Sequence, residues 1–234
     1  MPYDARMGAG PAVLDNVFWN ALSGAHAPLS EGNARARRYA PGLPAIAAFP
    51  DPQRPDFETL ASLFEPGEPF YTSGWSGPPP DGWRIDVDAC MCLMVWSGTP
   101  PEGDSAPGAV RLDAAHVERM LALAEATRPG PFGPRNIEMG EYYGFLEGER
   151  LVAMAGERTF ASAYREISAV CTHPERQGRG LARRLTEKLV RIQAGRGQVP
   201  FLHVMSHNAR ARGMYERMGF RVHREFPVRV VVRL

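Results

Sequence analysis

Glu166 to Ala182, EISAVCTHPERQGRGLA, is the stretch on which the reading of this chain turns. Its first seven residues place Ile167 and Val170 among the small Ser168, Ala169 and Cys171, a short bounded run suited to a mostly buried strand. Pro174 ends it. Gln177-Gly178-Arg179-Gly180-Leu181-Ala182 follows, and from there Leu181, Leu185, Leu189 and Ile192 recur at helical spacing until Gly195 and Gly197. The glycines therefore sit at a helix N-terminus. There the first-turn N–H groups lack internal partners, the macrodipole is positive, and glycine admits a ligand close to the main chain. That combination makes an anion site, most naturally for a pyrophosphate.

Gly178-x-Gly180 is also two thirds of a dinucleotide-binding fingerprint, but Arg183 stands at the third glycine position and no acidic residue closes the next strand. His173 to Gln177 also lengthens the path from strand to first glycine. A P-loop is excluded because no Gly-Lys-Ser/Thr follows.

Val170-Cys171-Thr172-His173-Pro174, leading into Gln177-x-x-Gly180-x-Ala182, resembles the acetyl-coenzyme A signature of the GNAT N-acetyltransferase superfamily. Asn208 to Phe220, NARARGMYERMGF, is similar to that family's second motif. Two motifs in order, separated by a helix and a strand, are more specific than either alone. With Val199-Pro200-Phe201-Leu202 between them, the wording is closest to the C-terminal domains of glycine N-acyltransferase-like proteins. The resemblance covers roughly residues 110 to 234.

It implies an α+β fold, a central mixed and mostly antiparallel sheet flanked by helices, and an enzyme passing acetyl from acetyl-CoA to an amine of a small molecule or peptide by direct attack. The main-chain groups of Val170, Cys171 and Thr172 would meet the pantetheine arm. Gln177, Gly178, Arg179, Gly180, Leu181, Ala182 and Arg183 would hold the pyrophosphate, with Arg176 and Arg184 as further phosphate partners, and Asn208 would add a coenzyme contact. Tyr215 matches the tyrosine that protonates the departing thiolate; a phenol with an ordinary pKa of about 10 keeps its proton at neutral pH. Glu166, on a regular strand sharing a face with Ser168, Val170 and Thr172, is the first candidate for the base, and Glu138 the reserve. In this family the segment after the first helix commonly walls the acceptor pocket, which brings in Phe132, Arg135 and Glu138. A non-catalytic acyl-CoA-binding module or sensor is the alternative, since it needs the glycine turn without acid or base.

Composition narrows the rest. With 27 basic and 26 acidic residues the chain has no general drive toward nucleic acid or anionic membrane. Arg176, Arg179, Arg183, Arg184 and Arg191 lack interleaved aromatics, so a phosphate site or solvated face explains them better than nucleic acid. No run is long enough for a membrane span, and the opening MPYDARMGAG lacks a basic segment followed by an apolar one, so a cytoplasmic protein is expected. Cys90, Cys92 and Cys171 form no disulfide framework, and Cys171 has no adjacent base to make it a nucleophile. His203-x-x-x-His207 has no third ligand nearby, so no metal is expected. A homodimer is compatible with all of this.

Gly98 to Gly108, GTPPEGDSAPG, reads as a linker. It divides residues 1–105, a region of unclear role that in related sequences behaves as a degenerate half of a GNAT fold, from an acetyltransferase domain over 106–234. In the first region Leu14 to Leu22 and Phe57 to Phe64 suggest short helices, the second capped by Asp56, and Ile85 to Trp96 a strand. His26 is expected to be packed or at the surface. In the second, Asp113 caps a helix through Ala124, Tyr142–Leu146 and Leu151–Ala155 form a hairpin, Asn208 caps a helix that Gly219 stops, and Val228 to Leu234 alternate as a closing strand.

Overall fold

Short-range signals in the sequence become elements in the order they were written. The computed structural model describes residues 11–234; the opening MPYDARMGAG lies outside them. Helix α1 (Val17–Ser23) leads into three short strands, β1 (Ser30–Gly32), β2 (Arg37–Tyr39) and β3 (Ala47–Ala48), then α2 (Phe57–Ala61), β4 (Pro69–Ser73) and β5 (Trp83–Trp96). Beyond the proline-rich segment come β6 (Val110–Leu112), α3 (Val117–Thr127), β7 (Tyr142–Glu147), β8 (Arg150–Ala161) and β9 (Tyr164–Thr172). The chain closes with α4 (Leu181–Gly195), β10 (Val199–Met205), α5 (Ala209–Arg217) and β11 (Phe220–Arg233).

The three expected caps form. Asp56 accepts from Thr59 N–H at 2.8 Å, Asp113 from Ala115 N–H at 2.9 Å, and Asn208 from Ala211 N–H at 3.1 Å, each removing one unsatisfied donor of a helix start. Gly219, at φ +95°, ends α5 in a conformation that favours glycine.

Eight strands form one mixed, mostly antiparallel sheet in the order β4-β11-β5-β10-β9-β8-β7-β6, and helices cover both faces, which makes the fold α+β. One face packs on α1, through Val17, Phe18 and Leu22, and on α3, through Met120, Leu123 and Ala124. The other packs on α4, through Leu185, Leu189 and Val190, and on α5, through Tyr215. The strands before and after the proline-rich segment share this sheet: β5 lies between β10 and β11, paired antiparallel to both.

Two strands run well past their sequence signal. β8 continues through Glu157-Arg158-Thr159, and β11 begins at Phe220 rather than Val228, through Arg221, Arg224, Glu225 and Pro227. Their polar residues face partners distant in sequence: Arg158 meets Glu166, and Glu157 accepts from Gln193 and Arg196.

His26 is packed, as expected. Its Nδ1 lies 2.9 Å from the Tyr39 hydroxyl, and burial, reinforced by the charge of Arg165 and opposed by Glu166, lowers its pKa to about 4. A histidine that folds neutral stabilises the chain above its unfolded pKa of about 6.5, and that contribution is lost as pH falls from there toward 4. Thermal unfolding midpoints are therefore expected to fall over this window in the native protein and less in His26→Gln.

Candidate active site

The site begins where β9 and β10 separate. Their parallel pairing runs from Tyr164–Val199 to Glu166–Phe201 and stops, while β10 stays paired with β5 as far as Met205–Met91. From Ile167 onward one edge of β9 has no strand beside it, so its main-chain groups face the opening. On its other edge β9 carries a bulge: Gly156 pairs with Ser168 and Met154 with Cys171, so Ala169 and Val170 stand against Ala155 alone. Ala169 takes φ +51°, a left-handed conformation uncommon for alanine. A cavity of about 540 Å³ fills the opening, lined by Ile167 to Thr172, His203, Tyr215 and, on the far side, Tyr71, Val87 and Val230.

The bulge revises the expected strand face. Glu166 and Val170 do not share a regular face: Val170 packs with Ile167 and Leu185, while Ala169 and Cys171 pack against Met120 and Leu123 of α3. Cys171 is a buried thiol whose pKa burial pushes up to about 11, so it is a neutral packing group. The Thr172 hydroxyl is buried beside the cavity without a partner among the described residues.

At the cavity's edge lies Gln177, and the glycine turn follows. Gly178 and Gly180 adopt φ +80° and +72°, and a Cβ at either would meet nothing within 4 Å. Gly180 is the N-cap residue of α4, whose fifteen residues aim their dipole at this open space, with Leu181 and Ala182 in its first turn. The arginines divide into two groups. Arg176 is held by Glu147 at 2.7 Å, and Arg184 donates to Ser105 O and lies over the Phe145 ring. Arg179 and Arg183 are exposed beside the turn, their carboxylate partners at 3.9 and 3.2 Å. Asn208, capping α5, lines the same cavity.

Tyr215 projects from α5 into the core facing β9, its ring edge-on to Phe220 at 5.8 Å. Burial, with Cys171 nearby, pushes its pKa above the ordinary tyrosine value, so it is a protonated phenol in the cavity wall.

Glu166 is not free to face solvent. Its carboxylate accepts from Arg158 Nη2 at 2.6 Å and Nε at 3.0 Å, from Thr159 N–H at 3.2 Å, and lies 2.7 Å from His203 Nδ1. Burial alone would raise its pKa; the charge of Arg158 and the bonds from Arg158 and His203 outweigh it and hold the carboxyl well below the usual carboxylate range. Phe132, Arg135 and Glu138 stay off the cavity: Phe132 packs edge-on to Tyr142, and Arg135 pairs with Glu138 at 2.8 Å. Thr127 to Pro131, just before them, supplies that wall. His203 has no role in the sequence-based site, where its spacing to His207 suggests only an incomplete metal pair. The signal available was its place on the strand after the glycine helix, two residues beyond Phe201 and so on the same face.

The chain is similar to known proteins. The family described as FR47-like protein matches residues 142–228. A GNAT-family protein from Novosphingobium aromaticivorans is 36% identical, with 97% of this chain and 100% of that one covered at a TM-score of 0.87. The fold is also that of a GCN5-related N-acetyltransferase from Kribbella flavida, 15% identical over 97% and 96% of the two chains at a TM-score of 0.59. A GCN5-related N-acetyltransferase-like protein from Streptococcus suis is 15% identical over 93% and 92%, at 0.60. No curated protein matches the chain. With full-length coverage at 36% identity, and the splayed strands, bulge and open glycine turn in place, the chain belongs to the GNAT family of acetyltransferases.

Proposed function

We propose that this chain is an N-acetyltransferase that passes acetyl from acetyl-CoA to an amine of a small molecule or peptide, by direct attack. The observation that carries this reading is the open glycine turn at the start of α4, set beside the splayed β9–β10 cavity with the protonated Tyr215 in its wall. The residues fit the coenzyme. Main-chain N–H groups from Gly178 to Ala182, with Arg179 and Arg183, would hold a pyrophosphate, the Gln177 N–H being given to Pro174 O at 3.3 Å. The free edge of β9 at Val170, Cys171 and Thr172 would take the amide-bearing pantetheine arm, and Asn208 would border it.

Bound acetyl-CoA supplies an acetyl group activated as a thioester. The chain's part is to align that group with the amine, give main-chain N–H groups at the bulge to the carbonyl oxygen as negative charge develops, and protonate the thiolate from Tyr215. Among the described residues no carboxylate lines the cavity, while Ile46, Tyr71, Val87 and Val230 do. Arg128, Arg158 and Arg229 line it too, and a cavity with cationic groups and no carboxylate disfavours a polycation. Within the family we place the chain beside the C-terminal domains of glycine N-acyltransferase-like proteins, on Val199 to Leu202 and Asn208 to Phe220.

Gly180→Asp tests the coenzyme site. Aspartate tolerates the left-handed conformation better than most residues and meets open space, so the fold should persist. Its charge would face the pyrophosphate, and the Kd for acetyl-CoA measured by calorimetric titration is expected to rise roughly 10- to 100-fold. Undiminished binding would remove the turn from the coenzyme site.

A further inference from the structure

We propose that His203 is the general base of the acceptor site, and that Glu166 and Arg158 are the positioning pair behind it. The inference rests on the acetyltransferase reading and deepens it.

Three aromatic rings fix the imidazole plane: Phe18 stacks on it at 5.1 Å, and Phe201 and Phe226 meet it edge-on at 5.7 and 5.8 Å. Nδ1 lies 2.7 Å from Glu166 Oε1. Because Arg158 binds that carboxylate through two nitrogens and keeps it ionised, Glu166 can only accept, so the imidazole proton sits on Nδ1. In the neutral ring Nε2 is then a bare lone pair. It is buried, has no hydrogen-bond partner among the described residues, and belongs to a side chain lining the cavity. A buried acceptor of this kind is costly unless a donor arrives, and an amine N–H is such a donor.

With a neutral imidazole, Arg158 and Glu166 balance and the cluster carries no net charge. The other titratable groups around it are Tyr39 from β2, Tyr142 from β7, Arg165 from β9, and His26, which is neutral at working pH. Glu166, the residue the sequence suggested as base, is therefore committed as an acceptor to its own partners and acts through the ring that reaches the cavity.

The step balances. The amine lone pair forms a nitrogen–carbon bond to the thioester carbonyl, its N–H proton passes to Nε2, the carbon–sulfur bond breaks, and the thiolate takes the Tyr215 proton. Amide and thiol leave; solvent relieves the imidazolium of its proton and returns one to Tyr215.

The test compares wild-type protein with His203→Gln, using acetyl-CoA and an amine that the wild type acetylates. The variant's kcat/KM should fall roughly 100-fold with acetyl-CoA Kd within about twofold, the acid limb of the wild-type pH profile should vanish, and raising pH should recover rate. Should the variant not fold, the wild-type ¹⁵N-histidine long-range correlation spectrum decides: His203 is expected with its proton on Nδ1 and Nε2 bare. Near-normal turnover with an unchanged pH profile, or a proton on Nε2, would overturn the proposal while leaving the acetyltransferase reading intact. That reading fails separately, if wild-type protein acetylates no amine.

Discussion

Replacing Glu166 by alanine is expected to destabilise the protein by about 3–5 kcal/mol, because it strands Arg158 as an uncompensated charge inside the sheet and leaves His203 Nδ1–H unpaired. For a chain of this size that lowers the thermal midpoint by roughly 6–20 °C. Adding Arg158→Met should recover much of the loss, since the buried cation is its main source. The sign in pH follows from the lowered Glu166 pKa. The carboxylate's contribution is full above its unfolded pKa of about 4, and is lost progressively as pH falls below that toward the folded value. The gap between native protein and Glu166→Ala should therefore narrow in acid. An alanine variant as stable as the native protein at neutral pH would mean that the pair is not closed in solution.

Tyr215→Phe carries the largest expected effect on turnover. Phenylalanine keeps the ring against Phe220 and removes only the hydroxyl, whose raised pKa keeps it protonated across the neutral range. Loss of a positioned general acid costs about 10²–10⁴-fold in kcat. Acetyl-CoA binding should hold, because the glycine turn and the β9 edge are untouched. That split distinguishes a catalyst from a module that only binds acyl-CoA: unchanged turnover in Tyr215→Phe would remove the assigned role from the phenol.

The glycine turn and helix starts of the candidate site were legible in the sequence because their signals are local. Helix α4 begins at Leu181 and ends at Gly195, as the leucine spacing and the glycines dictate, and Asn208 caps α5 within three residues of itself. The half to which we assign the chemistry was only partly legible. Tyr215 is carried by a motif. The Glu166 pairing, by contrast, depends on where β8 puts Arg158 and β10 puts His203, eight and thirty-seven residues away. Nothing short-range announces the bulge either, since alanine at position 169 has no preference for the left-handed conformation it takes. The same reason hid the first half of β11, where Arg221, Arg224, Glu225 and Pro227 show no strand alternation of their own and are ordered by pairing with β5. The insertion of β5 between β10 and β11 is the longest-range feature of all, joining residues on either side of the proline-rich segment in one sheet.

The central claim is that one cavity serves both the coenzyme and an amine. Its most direct measurement incubates the protein with acetyl-CoA and a panel of amines, amino acids and short peptides, following free thiol and the mass of each acceptor. The account predicts release of thiol only when an amine is present, matched mole for mole by an acceptor heavier by one acetyl group. Tight acetyl-CoA binding with no amine-dependent release across the panel would contradict it.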